Sequence, residues 1–250
     1  MLSSGETVSL VMPAKNERPC VDLVLSSVPD FYDEVIVVDN GSTDGTQAAV
    51  CAFGDPRVRL LSCELRDRRG IGYGAALVMG LSAATGDWLV TADFDGTYPI
   101  DCADGAIRAC RGQGLDAGII VRHPDRRISR KLALGVGVLN LELFVLYGWR
   151  CQDSLSGMVM LRSALFSEMS EHVEWAVGWD FSPQVKVEML RAVGRSGVLQ
   201  LYHLANERVG SDTKQNYWVT GFGHLVWILR DWLSHGCRRS TPHGRLVRRD

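Results

Sequence analysis

The sequence predicts an α/β fold in which a mostly parallel central sheet is flanked by helices. Short β-branched runs alternate with stretches whose apolar residues recur at helical spacing, and this alternation is typical of doubly wound sheets. The first two runs, at 8–12 and 35–38, are continuously apolar, as expected for strands that are buried on both faces. With 250 residues, of which 46% are hydrophobic, the chain can bury one sizeable core.

Each element is assigned from the spacing of its apolar residues and from the turn residues that bound it. In chain order we predict a strand at 8–12, a helix at 18–27, a strand at 35–38, a helix at 45–53, a strand at 58–61, a helix at 75–85, a strand at 88–92, a helix at 103–111 and a strand at 117–121. Gly86 is interpreted as the signal that ends the helix at 75–85. After residue 121 the alternation weakens, and the apolar spacing predicts only two further helices, at 132–147 and 217–233.

These two helices are the segments that could contact a membrane. The first is shorter than the roughly 20 residues that a bilayer requires. Asn140 and Glu142 also lie in its middle, so we expect a packed or interfacial helix rather than a span. The second alternates tryptophans with leucines and isoleucine. We expect it to pack on the domain, with docking on a membrane surface as the open alternative.

The composition excludes several classes of protein. A net charge of −2 does not suit a strongly basic nucleic-acid-binding face, so no nucleic-acid partner is expected. The seven cysteines are scattered without a C-x-x-C pair, which indicates reduced thiols rather than a zinc site or a disulfide framework. The N-terminus shows no basic segment before an apolar run, so no signal peptide is predicted. The expected location is cytoplasmic, with peripheral contact at the inner face of the membrane as the open alternative.

Polar turns follow three of the predicted strands at the point where each strand ends. They span residues 13–17, 39–45 and 93–99. In doubly wound sheets, ligands bind beyond the carboxyl ends of the strands. The three turns therefore predict one site at that edge of the sheet.

The sharpest of these turns carries two carboxylates one residue apart, Asp93 and Asp95. Carboxylate oxygens at a strand end suit a hard divalent cation such as Mg²⁺ or Mn²⁺. A cation held there would make a nucleotide diphosphate a better leaving group by offsetting its developing charge. The alternative is a solvated acidic turn without a metal.

Two further turns are compatible with a nucleotide. Asp39 could accept hydrogen bonds from a base or ribose, and Gly41 permits the tight turn that follows. The alternative for this turn is a helix start capped by Ser42 or Asp44. The glycine-rich segment 69–76 lacks the G-x-G-x-x-G spacing, but its amides could still bind an anion at a helix start. Close packing on the sheet explains those glycines equally well.

Five segments of the chain together resemble family 2 glycosyltransferases, in particular the dolichyl- and polyprenyl-phosphate mannose and glucose synthases. The segments are 13–17, 37–44, 72–77, 83–87 and 93–99. The resemblance implies a GT-A nucleotide-diphospho-sugar transferase fold with a Rossmann-like sheet. It implies a single domain over 1–235, with a donor half to about 121, an acceptor half from about 122, and a basic flexible tail at 236–250.

The resemblance also implies roles for individual residues. The implied donor-binding residues are Pro13, Ala14, Glu17, Asp39, Asn40, Gly41, Tyr73, Asp93, Arg208 and Lys214. Asp93 and Asp95 would hold Mg²⁺ or Mn²⁺. The family often has a glutamine ligand two residues beyond the second aspartate, where this chain has Thr97.

The second half of the chain matches the family less closely. Segment 152–158 is similar to the acceptor-side D-x-x-S-G-F-R pattern, although its usual arginine is Val159 here and Arg162 follows nearby. Asp153 and Asp180 are the candidate catalytic bases, since transfer to a hydroxyl needs a carboxylate that removes its proton. For Asp180 the alternative is an acid that stabilises a helix N-terminus.

Basic residues of the second half could face phosphate groups. Segment 208–214 is similar to the family's R-x-G-x-S-K loop over the donor and acceptor phosphates, which implies the roles of Arg208 and Lys214. Arg122, Arg127 and Arg130 could also add positive charge near an anionic acceptor, but a solvated face is the expectation for these three.

These features predict a metal-dependent, inverting glycosyltransferase that uses a nucleotide-diphosphate sugar as its donor. The expected acceptor is a polyprenyl phosphate, with a soluble small-molecule or carrier-bound acceptor as the alternative. Two other classes stay open, namely a sugar nucleotidyltransferase and a non-catalytic protein that binds nucleotide sugars. The segment 13–17 lacks the glycine-rich basic signature of the first class, and the pair Asp93 and Asp95 argues against the second.

Overall fold

The computed structural model describes residues 5–62, 70–122, 130–204, 206 and 217–236. These residues form a seven-stranded sheet in the order β3-β2-β1-β4-β6-β5-β7. The strands are β1 (Val8–Ala14), β2 (Glu34–Asp39), β3 (Val58–Ser62), β4 (Trp88–Thr91), β5 (Ala117–Arg122), β6 (Val159–Arg162) and β7 (Val198–His203). The helices are α1 (Val21–Ser26), α2 (Thr46–Ala52), α3 (Tyr73–Ala83), α4 (Ala103–Gly112), α5 (Arg130–Tyr147), α6 (Ser163–Ser170), α7 (Phe181–Val193) and α8 (Tyr217–His235).

The strand directions confirm a mostly parallel sheet. Strands β3, β2, β1 and β4 run parallel to one another, and β5 and β7 also pair in parallel. Strand β6 lies between β4 and β5 and runs antiparallel to both. The carboxyl ends of β4 and β5 therefore share one edge with the amino end of β6.

The core lies on both faces of the sheet because successive side chains of the central strands point to opposite faces. On β1, Val11 packs into one hydrophobic cluster, whereas Leu10 and Met12 pack into the other. All three side chains are fully buried, which explains the continuous apolar run that the sequence shows at this strand.

Two predicted helix boundaries differ from the structure. The helix expected at 18–27 starts as a short 3₁₀ turn over Arg18–Cys20, where a proline occupies the first turn, and becomes α-helical only at Val21. Helix α3 ends at Ala83, so the prediction that Gly86 ends it was wrong. A Cβ at Gly86 would lie 2.7 Å from the amide nitrogen of Ser9, so this glycine permits close packing on β1.

The sequence did not predict strands β6 and β7. Strand β6 has only four residues, and its antiparallel placement breaks the strand–helix alternation on which the prediction depended. Strand β7 lies at an edge of the sheet, and its last residues, Tyr202 and His203, are exposed. A half-exposed edge strand lacks the continuous apolar run that marked the central strands.

Helices α5 and α8 pack against each other and show two contrasting faces. Leu139, Leu143 and Tyr147 of α5 are buried in the core, and the Tyr147 hydroxyl donates to Asp231 of α8 at 2.5 Å. The outer faces carry exposed apolar side chains, which we call the apolar stripe: Leu134, Val138, Leu141 and Val145 on α5, and Val219, Phe222, Val226, Leu229 and Leu233 on α8. Within the described part of the chain, no helix combines the length and apolarity that a membrane crossing requires.

Glu142 of α5 gives a testable dependence of stability on pH. Its Oε2 atom is buried without a hydrogen-bond partner among the described residues, and burial raises the pKa of the carboxyl group to about 7. The folded state therefore binds this proton more tightly than the unfolded state does. The contribution of Glu142 to the free energy of unfolding falls as the pH rises from about 4.5 to about 7.

We expect Glu142→Gln to raise the free energy of unfolding near pH 8 by about 1–2 kcal/mol once solvent screening is allowed for. Near pH 5 the substitution should change little, because the carboxyl group of the folded protein is then protonated. Urea unfolding at both pH values measures the difference. Glu168→Gln, at an exposed acid on α6, is the matched control. Equal effects of the Glu142 substitution at the two pH values would contradict this account.

Candidate active site

The candidate site is built on the carboxyl edge of β1, β2 and β4. The loops after β1 and β2 are joined by hydrogen bonds that fix their relative position. The Asn16 side-chain oxygen accepts from the Thr43 amide at 2.7 Å, and the Asn16 amide donates to the Ser42 hydroxyl at 2.8 Å. Asn16 holds a positive φ of 52°, so the loop turns sharply at this point. Pro13 and Ala14 are the last two residues of β1, and Glu17 lies in the loop that follows.

Asp39 is fully buried at the end of β2, where its carboxylate organises the following turn. It accepts hydrogen bonds from the amides of Gly41 and Ser42 and from the Gln47 side chain, the last at 2.6 Å. The first residue of the next helix is preceded by Gly45 with φ 90°, so neither Ser42 nor Asp44 occupies the N-cap position. The Asp39 carboxylate thus sets the shape of the loop after β2.

Asn40 connects this loop to the glycine-rich segment. Its side-chain oxygen accepts from the amides of Ile71 and Gly72 at 2.7 and 3.2 Å. Gly70 has a φ of 84°, and a Cβ there would lie 2.3 Å from the same oxygen. The turn at 70–72 therefore packs directly on Asn40, which supports the packing interpretation of these glycines.

Asp93 and Asp95 follow β4, and each is held by a neighbouring hydroxyl. The Tyr73 hydroxyl donates to Asp93 Oδ1 at 2.8 Å. The Thr97 hydroxyl and amide donate to Asp95 Oδ1 at 2.6 and 3.0 Å. Burial, followed by the charge of Asp93, raises the pKa of Tyr73 well above its usual value, so this phenol remains a donor.

The donor set of this turn fits a hard divalent cation. Both side chains present carboxylate oxygens, and Asp95 is 4% exposed, so its charge sits at a shielded strand end. Among the described residues no cluster of three or more histidine, cysteine or acidic side chains could hold an ion. Mg²⁺ commonly takes one or two carboxylates and completes its shell with substrate phosphates and water. Two aspartates are sufficient for that arrangement.

The segment before β6 is clamped against the same turn. The Gly157 amide donates to the Tyr98 hydroxyl at 2.5 Å, and the Gly157 carbonyl accepts from Thr91 at 2.7 Å. A Cβ at Gly157 would lie 3.2 Å from Asp93 Oδ1 and 3.0 Å from the Tyr73 hydroxyl. The acceptor-side segment identified from the sequence therefore contacts the acidic turn directly.

Asp153 is engaged in a buried ion pair at the start of that segment. Arg122 donates to its two carboxylate oxygens at 2.7 and 2.9 Å, and Asp153 is 3% exposed. Burial disfavours the charge of Arg122, but Tyr98 and Asp153 outweigh it and hold the pKa of the guanidinium above its usual range. The expectation of a solvated Arg122 was wrong, because this side chain is only 17% exposed.

A second buried basic side chain contacts this segment from α7. Lys186 of α7 is fully buried and donates to the carbonyls of Ser156 and Ser182 at 2.6 and 2.9 Å. Burial lowers the pKa of its ammonium group to about 8. Lys186 thus joins α7 to the loop that carries Gly157.

Asp180 lies just before α7, beside the glycine-rich start of α3. The preceding residue, Trp179, stacks on Tyr73 with ring centroids 4.4 Å apart. The Asp180 side chain makes no capping bond to its own helix. Instead Asp180 Oδ1 is bonded to Nδ1 of His224 at 2.7 Å. The Asp180 side chain is 39% exposed.

The structure does not describe four of the basic side chains named from the sequence, and it places a fifth away from the site. Arg208 and Lys214 lie outside the described residues, as does Arg127, and the side chain of Arg130 is also outside them. Arg162 pairs with Trp88 at the amino end of β4, at the opposite edge of the sheet. Arg162 therefore does not take the place of the arginine that the family pattern has at the position of Val159.

Sequence reasoning missed four residues that contact either a site residue or the loop at 156–157, namely Tyr98, Trp179, Lys186 and His224. Tyr98 lies within the turn at 93–99, and Trp179 directly precedes Asp180. A lysine among the valines of 185–187 could have drawn attention to Lys186. No sequence signal marks His224, because its partner is 44 residues away.

The chain matches the family described as glycosyl transferase family 2 over residues 9–168. It is 36% identical over 96 residues to glucosyl-3-phosphoglycerate synthase of Mycobacterium tuberculosis, which covers 37% of this chain and 30% of that protein. It is 30% identical over 138 residues to the prophage bactoprenol glucosyl transferase homolog of Escherichia coli, which covers 50% of this chain and 43% of that protein. The matches thus span less than half the length of these relatives.

A crystal structure of the Mycobacterium tuberculosis glucosyl-3-phosphoglycerate synthase with Mn²⁺, uridine-diphosphate-glucose and phosphoglyceric acid is similar to this fold. The TM-score is 0.69 at 24% identity, over 90% of this chain and 79% of that one. This likeness confirms the GT-A fold that the sequence predicted. Since the family match spans residues 9–168 of the 250, the protein belongs to glycosyl transferase family 2.

Proposed function

We propose that this chain is a metal-dependent, inverting glycosyltransferase that takes its sugar from a uridine-diphosphate sugar. The observation that carries the proposal is the placement of Asp39, Asp93 and Asp95 at the carboxyl ends of β2 and β4, the two parallel strands that flank β1 in this family 2 domain. The donor class is inferred from the similar structure, which contains uridine-diphosphate-glucose. Glucose is the first sugar to test, because both relatives are named for glucosyl products or transfer.

The loops after β1 and β2 form the proposed nucleoside pocket. Pro13 and Ala14 end β1, Glu17 lies in the loop after it, and the loop after β2 presents the turn that Asp39 organises. Asn40 and Gly41 belong to that turn. Arg208 and Lys214 are proposed to bind the diphosphate on the strength of the family resemblance alone.

Asp93 and Asp95 are the proposed ligands of Mg²⁺ or Mn²⁺. When bound, the cation would neutralise charge that develops on the departing nucleoside diphosphate. The protein's own contribution is to hold the two carboxylates in place through the hydroxyls of Tyr73 and Thr97. Such prior positioning lowers the cost of organising the site during reaction.

Asp180 is the proposed carboxylate on the acceptor side. With a hydroxyl acceptor it would accept the proton as the new bond to the sugar forms. A phosphate acceptor is already an anion, and Asp180 would then accept hydrogen bonds from sugar hydroxyls and orient the ring. Asp153, the other candidate base, is proposed instead to position Arg122 and the loop before β6, because its two oxygens are bonded to that guanidinium.

A polyprenyl phosphate is the proposed acceptor. The prophage bactoprenol glucosyl transferase homolog supports this choice by its name. The apolar stripe on α5 and α8 provides a surface that could lie against the lipid in which such an acceptor resides. Peripheral contact with a membrane is therefore part of the proposal.

A soluble phosphorylated acid is the second candidate acceptor. It is favoured by the 36% identity to glucosyl-3-phosphoglycerate synthase over 96 residues. The two candidates share an anionic phosphate and differ in whether the product partitions into an organic phase.

Incubation of the purified protein with radiolabelled uridine-diphosphate-glucose tests the proposal. Parallel reactions would contain Mn²⁺, Mg²⁺ or a chelator, and either a polyprenyl phosphate in detergent or 3-phosphoglycerate. We expect label in the butanol phase with the lipid acceptor, only when a divalent cation is present. Aqueous labelled product with 3-phosphoglycerate would select the second acceptor. Absence of cation-dependent transfer with a panel of nucleotide sugars would contradict the activity itself.

A further inference from the structure

The function proposed above does not yet account for the contact between α8 and Asp180. His224 is only 2% exposed, and its Nδ1 atom lies 2.7 Å from Asp180 Oδ1. An ionised carboxylate only accepts hydrogen bonds, so the ring nitrogen is the donor. A buried histidine is thus directed at one oxygen of a carboxylate that is itself 39% exposed.

The surroundings of Asp180 leave this contact as its main restraint among the described residues. The side chain makes no capping bond to α7. On the backbone, the Ala75 amide donates to the Val177 carbonyl at 3.1 Å, and a Cβ at Gly74 would lie 2.8 Å from the Gly178 carbonyl. These contacts fix the position of the backbone before Asp180, but they do not determine the rotamer of the Asp180 side chain.

Helix α8 is itself firmly placed against the rest of the fold. Ile228, one turn beyond His224, is fully buried, and Asp231 is paired with Arg191 of α7 at 3.2 Å through Oδ1. Burial acts against the charge on Arg191, but Asp231 and Glu188 raise its pKa above the usual value, so the pair persists across the working pH range. His224 therefore lies on a helix whose position is held by buried packing and by an ion pair.

We propose that His224 is a positioning residue that holds the Asp180 carboxylate in the orientation required for sugar transfer. This inference rests on the proposed function of Asp180. Loss of a positioning contact leaves the carboxylate present but free to sample other rotamers. Small misplacements of a reacting group reduce turnover strongly while leaving binding at remote parts of the donor intact.

The first test compares His224→Leu with His224→Asn in the purified protein. The substrates are uridine-diphosphate-glucose and whichever of the two acceptors the labelling experiment selects. We expect His224→Leu to lower kcat by about 10- to 100-fold with little change in the KM for the donor. An asparagine amide can donate from nearly the position of Nδ1, so His224→Asn should recover kcat to within a few-fold. His235→Leu is the matched control on the same helix, because His235 is exposed and contacts Asp231 instead. Equal losses in the Leu and Asn variants would overturn the proposal.

The second test is a double-mutant cycle with Asp180→Ala. If His224 acts through Asp180, the double variant should be no slower than Asp180→Ala alone. Independent, multiplying losses would overturn the inference and indicate a merely structural role for His224. Wild-type turnover of Asp180→Ala would instead show that the proposed role of Asp180 is wrong, whatever His224 does.

A third measurement does not depend on activity. Nitrogen-15 NMR of histidine-labelled protein reports which ring nitrogen of His224 carries the proton. We expect the Nδ1–H form in the wild type and a shifted resonance in Asp180→Ala. A His224 ring protonated only at Nε2 would overturn the proposal even in the absence of a working assay.

Discussion

Asp95→Asn is expected to reduce sugar transfer by about 1,000-fold or more. The substitution removes one anionic ligand from the proposed cation site, and a metal that stabilises a departing group supplies several kcal/mol, each 1.36 kcal/mol being worth tenfold in rate. The asparagine side chain keeps an oxygen that can accept from Thr97, so the turn itself should survive. Initial rates with saturating Mn²⁺ measure the loss.

The matched control is Asp101→Asn, an exposed carboxylate in the short 3₁₀ turn that follows the same loop. Its turnover should match that of the wild type. Calorimetric titration of the donor with Mn²⁺ should show weaker binding for Asp95→Asn alone. Full turnover in the Asp95 variant with an unchanged melting temperature would refute the metal role of this residue.

Arg122→Met is expected to lower the free energy of unfolding by about 3–5 kcal/mol, the usual cost of leaving one charge of a buried pair without its partner. The stranded charge would be that of Asp153, which is 3% exposed and bonded to both the side chain and the amide of Arg122. Urea unfolding followed by tryptophan fluorescence measures the change.

The double variant Arg122→Met with Asp153→Asn separates the ion pair from packing. An asparagine removes the stranded charge and keeps one acceptor oxygen, which can serve either the amide of residue 122 or that of Leu155, since these two amides bond to different oxygens of Asp153. We expect the double variant to be more stable than Arg122→Met alone, since pairs of neutral groups avoid the desolvation cost of a lone charge. A loss below about 1 kcal/mol for the single variant, or no recovery in the double one, would count against a stabilising role for this pair.

Strands β1, β2 and β4 were predictable because each is marked twice. Residues 8–12 and 35–38 are apolar apart from Ser9, and each of the three strands is followed by a polar turn that the family motifs also identify. Local spacing thus defined both the strands and the edge where Asp39, Asp93 and Asp95 lie. Correct boundaries within a residue or two followed from the same pattern.

The second half of the chain was less predictable because its important contacts are long-range. Asp153 was noticed as a motif residue, but only the fold shows that Arg122, 31 residues earlier, occupies its oxygens. The pairing of Asp180 with His224 is of the same kind. Strand β6 was missed because an antiparallel strand of four residues carries no alternation of its own.

The reversed strand β6 limits the motions that are open to the sheet. Because β6 pairs with β4 on one side and with β5 on the other, it joins the two groups of parallel strands into one continuous layer. A hinge between these two groups would break the backbone hydrogen bonds of a central strand. We therefore expect the sheet to stay intact while ligands enter and leave at its carboxyl edge.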